Sequence, residues 1–229
     1  MSAETTPKVT VYTTAYNYGL YLQQSIESVL RQTLQDWELI VIDDASTDET
    51  ATVLTRYEEH PRIRVVRNQT NKGLVACANM ALGMARGEYI VRLDADDFFD
   101  ENALLVLSTT LDRQPEAGLV YPDYYHVDAK GDVIELVRRK KLHEEVHLLD
   151  LPAHGAGTMI RRRCLEELHG YREIVRCQDG YDLWIRFIDR FGVANVNLPL
   201  FYYRRHGQNL TENTDQLLRA RRLIKRSYV

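Results

Sequence analysis

The sequence predicts an α/β domain with a mostly parallel central sheet flanked by helices. Three observations predict it. Short β-rich runs alternate with helical patterns through the first half of the chain, which is the spacing of βαβ units. Those runs end in polar, largely acidic tips, where open α/β sheets bind ligands. The 229 residues are 45% hydrophobic and 27% charged, an ordinary globular composition at a length that buries a core without disulfide staples.

The elements follow in order. Val9-Thr-Val-Tyr-Thr-Thr14 reads as a strand, and Leu22, Ile26, Val29 and Leu30 recur at helical spacing, predicting a helix over 20–32. Trp37-Glu-Leu-Ile-Val-Ile42 is a second strand, and 48–57 a helix with Ser46 or Asp48 as its N-cap. A strand over 63–66 precedes a helix over 74–85 that Arg86-Gly87 closes, and Tyr89-Ile-Val-Arg-Leu93 is the fourth strand. The second half reads as a helix at 102–113, a strand at 117–121, and a hairpin of 124–127 with 133–137 around Ala129-Lys-Gly-Asp132. A strand at 157–160, a helix at 162–168, a helix at 179–191, an extended run at 193–203 and a basic helix at 217–228 complete it.

Composition narrows the function. A formal net charge of -4 gives no reason to expect a nucleic-acid partner. Cys77, Cys164 and Cys177 are odd in number and far apart, the pattern of reduced thiols in a cytoplasmic protein. The first seven residues lack an apolar core, so they do not read as a signal peptide, and no apolar run approaches the ~20 residues that span a bilayer. The expectation is a cytoplasmic protein, or one peripheral on the inner membrane surface.

The strand tips carry the chemistry. The second strand ends in Asp43-Asp44-Ala-Ser-Thr-Asp48 and the fourth in Asp94-Ala-Asp96-Asp97. Carboxylates gathered this closely repel one another and need a cation, donors or a ligand. For Asp48 helix capping competes evenly with a ligand role, but three carboxylates in four residues exceed what one cap requires. Oxygen-rich sites of this kind suit Mn²⁺ or Mg²⁺, which use one or two carboxylates plus substrate phosphates. There is no G-x-x-x-x-G-K-[ST] and no G-x-G-x-x-G, so no glycine cradle holds a phosphate.

These tips, with their neighbours, resemble the family-2 glycosyltransferases of the GT-A fold. The resemblance runs from Lys8 to about Thr211. It is carried by Val11-Tyr-Thr-Thr-Ala-Tyr-Asn17, Ser25-Ile-Glu-Ser-Val-Leu-Arg-Gln-Thr33, Trp37 to Asp48, Asn71-Lys-Gly73, Ala85-Arg-Gly-Glu-Tyr-Ile90, Leu93-Asp-Ala-Asp-Asp97 and Gln178-Asp-Gly-Tyr-Asp-Leu-Trp184. It implies that Thr14, Tyr16, Asp43 and Asp44 bind the nucleotide, and that Asp94 and Asp96 form the D-x-D pair, the first toward the ribose and the second on the metal. Asp97 is left as a sharer of that duty. His206, in Tyr203-Arg-Arg-His206, is implied as a metal or pyrophosphate ligand. Asp179 matches the catalytic base, although Gln178 replaces the usual Glu and Asp182 remains the alternative.

The implied activity is inverting, metal-assisted transfer of a sugar, expected from a UDP-sugar, to a hydroxyl of a glycan or lipid-linked glycan in cell-surface polysaccharide synthesis. The chain is expected to form one domain, 1–229, with a nucleotide-sugar half (8–100), an acceptor half (101–211) and a helical tail (212–229). Residues 76–79, Ala-Cys-Ala-Asn, lack the arginine that usually precedes this asparagine.

Other signals compete. His143-Glu-Glu-Val-His147 matches H-E-x-x-H, the motif of a zinc hydrolase. A binding module that keeps the fold without catalysis is a third class. Arg138-Arg-Lys-Lys141 reads as a solvated loop or as a grip on an anionic acceptor. The basic terminal helix could lie on anionic lipid, pack on the domain, or join a second subunit as a homodimer.

Overall fold

A computed structural model of the chain describes residues 6–139, 155–173, 179–207 and 214–227. The first half builds β1 (Val9–Ala15), α1 (Gly19–Leu30), β2 (Trp37–Asp43), α2 (Thr50–Leu54), β3 (Ile63–Arg67), α3 (Leu74–Met84) and β4 (Tyr89–Arg92). The second builds β5 (Phe98–Phe99), α4 (Ala103–Arg113), β6 (Ala117–Val127), β7 (Val133–Val137), β8 (Met159–Arg161), α5 (Arg162–Glu167), α6 (Asp179–Ile188), β9 (Gly192–Arg204) and α7 (Thr214–Arg226).

The sheet runs β3-β2-β1-β4-β8-β6-β9-β5, with β7 added beside β6. Its first half is wholly parallel: β1 pairs with β2 and β4, and β2 with β3. The second half mixes directions, since β8 runs antiparallel to β4 and β6 while β6 and β9 are parallel. The sheet as a whole is therefore mixed.

Alternation along the strands explains the layers. Val9, Val11, Leu39 and Val41 face one way and meet Leu22, Ile26 and Val29 of α1 and Leu104 and Leu107 of α4. Tyr12, Ile40 and Ile42 face the other way and meet Val75, Ala78 and Ala81 of α3, Leu165 of α5, and Leu183 and Phe187 of α6. Both faces are covered, which is why β1 and β2 read as near-continuous buried runs.

Two elements differ from expectation for local reasons. The N-cap of α2 is Glu49 and not Ser46 or Asp48, although the Asp48 Oδ1 accepts from the Thr50 N–H at 3.0 Å, and α2 is shorter than 48–57. It is rich in β-branched residues, and its end tightens into i→i−3 bonds from Arg56 and Tyr57. β5 has only two residues, too few to show a period. The basic helix α7 packs on the domain: Ala220 and Ile224 are buried, and Arg221 lies 4.8 Å over the Tyr181 ring. Arg219, Arg222, Leu223 and Arg226 face outward.

Candidate active site

Because β1 lies between β2 and β4, the three parallel strands bring their carboxyl ends to one edge of the sheet. Thr14 and Tyr16 stand at the β1 tip, Asp43 and Asp44 at the β2 tip, and Asp94 and Asp96 just beyond β4. The expected nucleotide and D-x-D residues thus share one edge. The Tyr16 ring is 47% exposed, an open face for a planar base.

The β1 and β2 tips are tied together. Asn17, at φ 61°, donates its N–H to Ser46 Oγ at 3.0 Å and accepts from the Thr47 N–H at 2.7 Å. The Asp48 Oδ2 accepts from the Gly19 N–H at 3.0 Å, which seats α1 against the second tip. Gly19 is required there, since a Cβ would come within 2.7 Å of the Thr50 nitrogen.

The Asp43 Oδ1 accepts from the Ser46 N–H at 3.0 Å. Asp44 is engaged more heavily: it accepts from Asn68 Nδ2 at 2.7 Å and from the N–H groups of Lys72 at 2.9 Å and Gly73 at 2.7 Å. Burial alone would raise its pKa, but these donors outweigh burial and hold it below the usual carboxylate value. Asp44 is thus a charged acceptor at the start of α3. Two of its donors come from Asn71-Lys-Gly73, so the quoted motifs are parts of one structure.

The acidic tip is more unusual. Arg92 grips Asp94 with two bonds, Nε to Oδ1 at 2.5 Å and Nη2 to Oδ2 at 2.9 Å. The Asp96 Oδ2 lies 2.9 Å from His206 Nε2. This contact joins residues 110 apart, and both side chains are largely buried. The His206 ring stacks on Tyr21, centroids 5.2 Å apart, and meets the edge of Tyr18 at 6.1 Å. Burial and the carboxylates of Asp96, Asp94 and Asp97 raise the Tyr18 hydroxyl, so Tyr18 faces the same cluster.

Asp96 and Asp97 are both pushed above the usual carboxylate value, by burial first and then by their acidic neighbours, while His206 opposes the shift at Asp96. The Asp97 Oδ1 accepts from the Arg204 N–H at 2.8 Å, and its buried Oδ2 has no hydrogen-bond partner among the described residues. Crowded, desolvated carboxylates with an orphaned oxygen fit a divalent cation. Among the described residues no three His, Cys, Asp or Glu side chains form a cluster that could hold a metal ion on their own.

A stability prediction follows. Asp97 ionises freely in the unfolded chain and reluctantly in the folded one. The metal-free fold therefore loses stability as pH rises from the ordinary carboxylate value to the raised one, and stays lower above it. Asp97→Asn is expected to flatten that slope and raise the thermal midpoint at neutral pH, by roughly 2–4 °C for each kcal/mol relieved. Scans across pH in chelator check it, and a lower midpoint for the variant would contradict it.

Other expected residues fall differently. Asp179 opens α6, but its side chain lies outside the described residues, as do Gln178 and Cys177. Asp182, the alternative base, is buried and paired with Arg172 and with Arg186, the latter at 2.9 Å. His143, Glu144 and His147 lie outside the described residues, with Lys140 and Lys141. Arg139 is not a freely solvated charge: its N–H donates to Asp123 at 2.8 Å and its guanidinium lies 5.1 Å over the Tyr124 ring. Asn79 exchanges two 2.9 Å bonds with the Tyr171 backbone, which docks α3 on the segment after α5. Cys77 and Cys164 are buried thiols, and burial pushes Cys77 up to about 12.

Sequence reasoning passed over Arg92, Arg204, Tyr18 and Tyr21. Arg92 and Arg204 are the last residues of β4 and β9, each two residues before a tip residue, Asp94 and His206. Tyr18 and Tyr21 are three apart where α1 begins, the spacing of helix neighbours, but nothing local marks them as lining an acidic site.

Comparison with known proteins agrees with this arrangement. The sequence profile "Glycosyl transferase family 2" matches residues 10–169. The putative glycosyltransferase EpsE of Bacillus subtilis is 35% identical over 207 residues, which cover 86% of this chain and 72% of that protein. Other relatives are polysaccharide synthases by name, among them a chondroitin synthase of Escherichia coli, 28% identical, of which this chain spans only 30%. In structure, S. aureus TarS 1-349 in complex with UDP-GlcNAc superimposes with a TM-score of 0.77 at 19% identity, over 95% of this chain and 65% of that one. The mannosyltransferase PcManGT of Pyrobaculum calidifontis, solved with GDP-Man and Mn²⁺, gives 0.64 at 19% identity, over 88% and 57%. The family profile spans most of the chain and these structures share its fold, so the protein belongs to glycosyl transferase family 2 and is a glycosyltransferase of the GT-A fold.

Proposed function

We propose that the protein transfers a sugar from a UDP-sugar to a hydroxyl of a glycan or lipid-linked glycan, with inversion, as a step in building a cell-surface polysaccharide. The observation that carries this is the meeting of Asp96 and His206 at 2.9 Å beside Asp94, at the carboxyl end of β4. Tyr16 would stack on the base, Thr14, Asp43 and Asp44 would line its edge, and Asp94 would face the ribose. Asp96 and His206 would hold Mn²⁺ or Mg²⁺. A divalent ion there supplies Lewis-acid neutralisation of the charge that builds on the departing diphosphate.

The chain's own groups do the rest. Tyr18, Tyr21 and His206 form an aromatic wall beside the acidic tip. Asp179, at the start of α6, would take the proton from the acceptor hydroxyl as its oxygen bonds the anomeric carbon and the bond to the diphosphate oxygen breaks. The commitment of Asp182 to Arg172 and Arg186 favours Asp179 for this role. UDP is favoured by the fold shared with a UDP-GlcNAc complex, and the ion by the fold shared with a Mn²⁺ complex. The polysaccharide role leans on the synthases among the relatives.

We place donor binding in residues 8–100, acceptor binding in 101–211 and the helical tail in 212–229. No described helix is long and apolar enough to cross a membrane. Any membrane contact would use the outer face of α7, with Arg219, Arg222 and Arg226, and a homodimer could use the same face.

The test is a panel of nucleotide sugars, read as nucleotide release with Mn²⁺, with Mg²⁺ and in chelator. Release of UDP that needs the ion supports the reading, and slow release without acceptor separates it from a non-catalytic module. Equal release in chelator, or release from no donor, would overturn it.

A further inference from the structure

We propose that Arg204 is a positioning residue that fixes the cation-binding face of the site. Its guanidinium holds the Asp96 main chain, its backbone holds Asp97, and its ring contacts hold the shelf beneath His206. The inference rests on the donor-site reading above and goes beyond it, since Arg204 would touch neither ion nor sugar.

Arg204 ends β9 and is 1% exposed. Its Nε donates to the Asp96 carbonyl at 2.8 Å, and its backbone N–H donates to the Asp97 carboxylate at 2.8 Å. One residue therefore grips both halves of the acidic tip. Nη1 donates to the carbonyl of Ala129 at 2.9 Å, in the turn between β6 and β7, and Nη2 donates to Gln24 Oε1 at 2.5 Å, on α1. The guanidinium lies 4.8 Å over the Tyr21 ring, and that ring stacks on His206. Four segments distant in sequence thus meet on one planar fork: the acidic tip, α1, the hairpin turn and the end of β9.

A buried charge is costly to desolvate and needs full hydrogen bonding. If Arg204 served only to close the fold, its bonds could end anywhere. Here one bond ends on the Asp96 carbonyl, another on the neighbouring Asp97 carboxylate, and the guanidinium lies over the ring that stacks on His206. Asp96 is held through its carbonyl. His206, two residues after Arg204, is held through Tyr21. Partners outside a metal's own ligands set the ligands' orientation, and losing one typically costs 10–100-fold in affinity. The demand is for a fork of fixed shape, which lysine's point charge does not reproduce.

The test is Mn²⁺ binding in the presence of UDP, followed by the loss of the free Mn²⁺ electron-spin signal, in wild type and Arg204→Lys, with the thermal midpoint in chelator measured alongside. The folded variant is expected to bind Mn²⁺ about 10–100-fold more weakly. A purely structural role would lower the midpoint and leave the Mn²⁺ affinity of the folded protein as it was, and that result overturns the proposal. If Arg204→Lys does not fold, Gln24→Ala decides. It removes only the Nη2 partner, so an affinity weaker by about 2–10-fold is expected, in line with one lost hydrogen bond, and unchanged affinity overturns the proposal. Absence of Mn²⁺ binding by the wild type would instead remove the donor-site reading, and with it anything for Arg204 to position.

Discussion

Asp179→Asn is expected to lower turnover by about 10²–10⁴-fold, the usual contribution of a general base, while leaving donor affinity unchanged. The asparagine amide is nearly the same size but cannot take the acceptor's proton. Donor binding is placed at the tips of β1, β2 and β4, whereas Asp179 opens α6, on a different element. The loss should therefore appear in kcat and not in the donor dissociation constant. Single-turnover rates at saturating donor, with donor affinity measured separately by titration, check it. Near-normal turnover would remove Asp179 from the role. Asp182 would not then inherit it by default, because Asp182→Asn breaks the pairs that this buried carboxylate makes with Arg172 and Arg186. That variant should lose stability, and the loss of one partner of a buried ion pair commonly costs about 3–5 kcal/mol.

Asp96→Ala is expected to reverse the pattern, weakening donor binding in Mn²⁺ by at least about 10–100-fold and abolishing ion-dependent turnover. Asp96 and His206, 110 residues apart in sequence, bring an acidic tip residue against an imidazole. Removing the carboxylate removes the 2.9 Å contact to His206, whose ring still stacks on Tyr21. In chelator the variant should melt close to wild type, because the burial and the Asp94 charge that oppose ionisation of Asp96 are set against the His206 contact that favours it. A variant that binds donor weakly yet melts no lower separates loss of a ligand from loss of the fold. A variant that melts much lower in chelator would mean that Asp96 holds the structure rather than an ion.

Much of the fold was legible because its local and long-range signals agree. β1 and β2 are covered on both faces, so they appear as apolar runs, and α1 shows its buried stripe at Leu22, Ile26 and Val29. The parallel half could be read from alternation alone. The β8 connection could not, because three residues carry no direction, and its antiparallel pairing with β4 is a tertiary choice. The candidate site was legible in its acids for a similar reason: charged residues directly after apolar strands are visible in one dimension. What surrounds them was not. Arg204 comes from the far end of the chain and meets Asp96 only because β9 lies beside β6 and β5. Tyr18 and Tyr21 look like ordinary helix residues until His206 is placed against them. The charge run at 138–141 illustrates the converse, since Arg139 looked like solvated surface and lies over Tyr124 and Phe201.

Isothermal titration of UDP-GlcNAc and UDP into the wild-type chain and Asp96→Ala, each with Mn²⁺ and again in chelator, tests the central claim most directly. Heat that appears with Mn²⁺, vanishes in chelator and is lost in the variant is the predicted result. Binding that is as tight in chelator as in Mn²⁺, or that Asp96→Ala retains in full, would contradict the account.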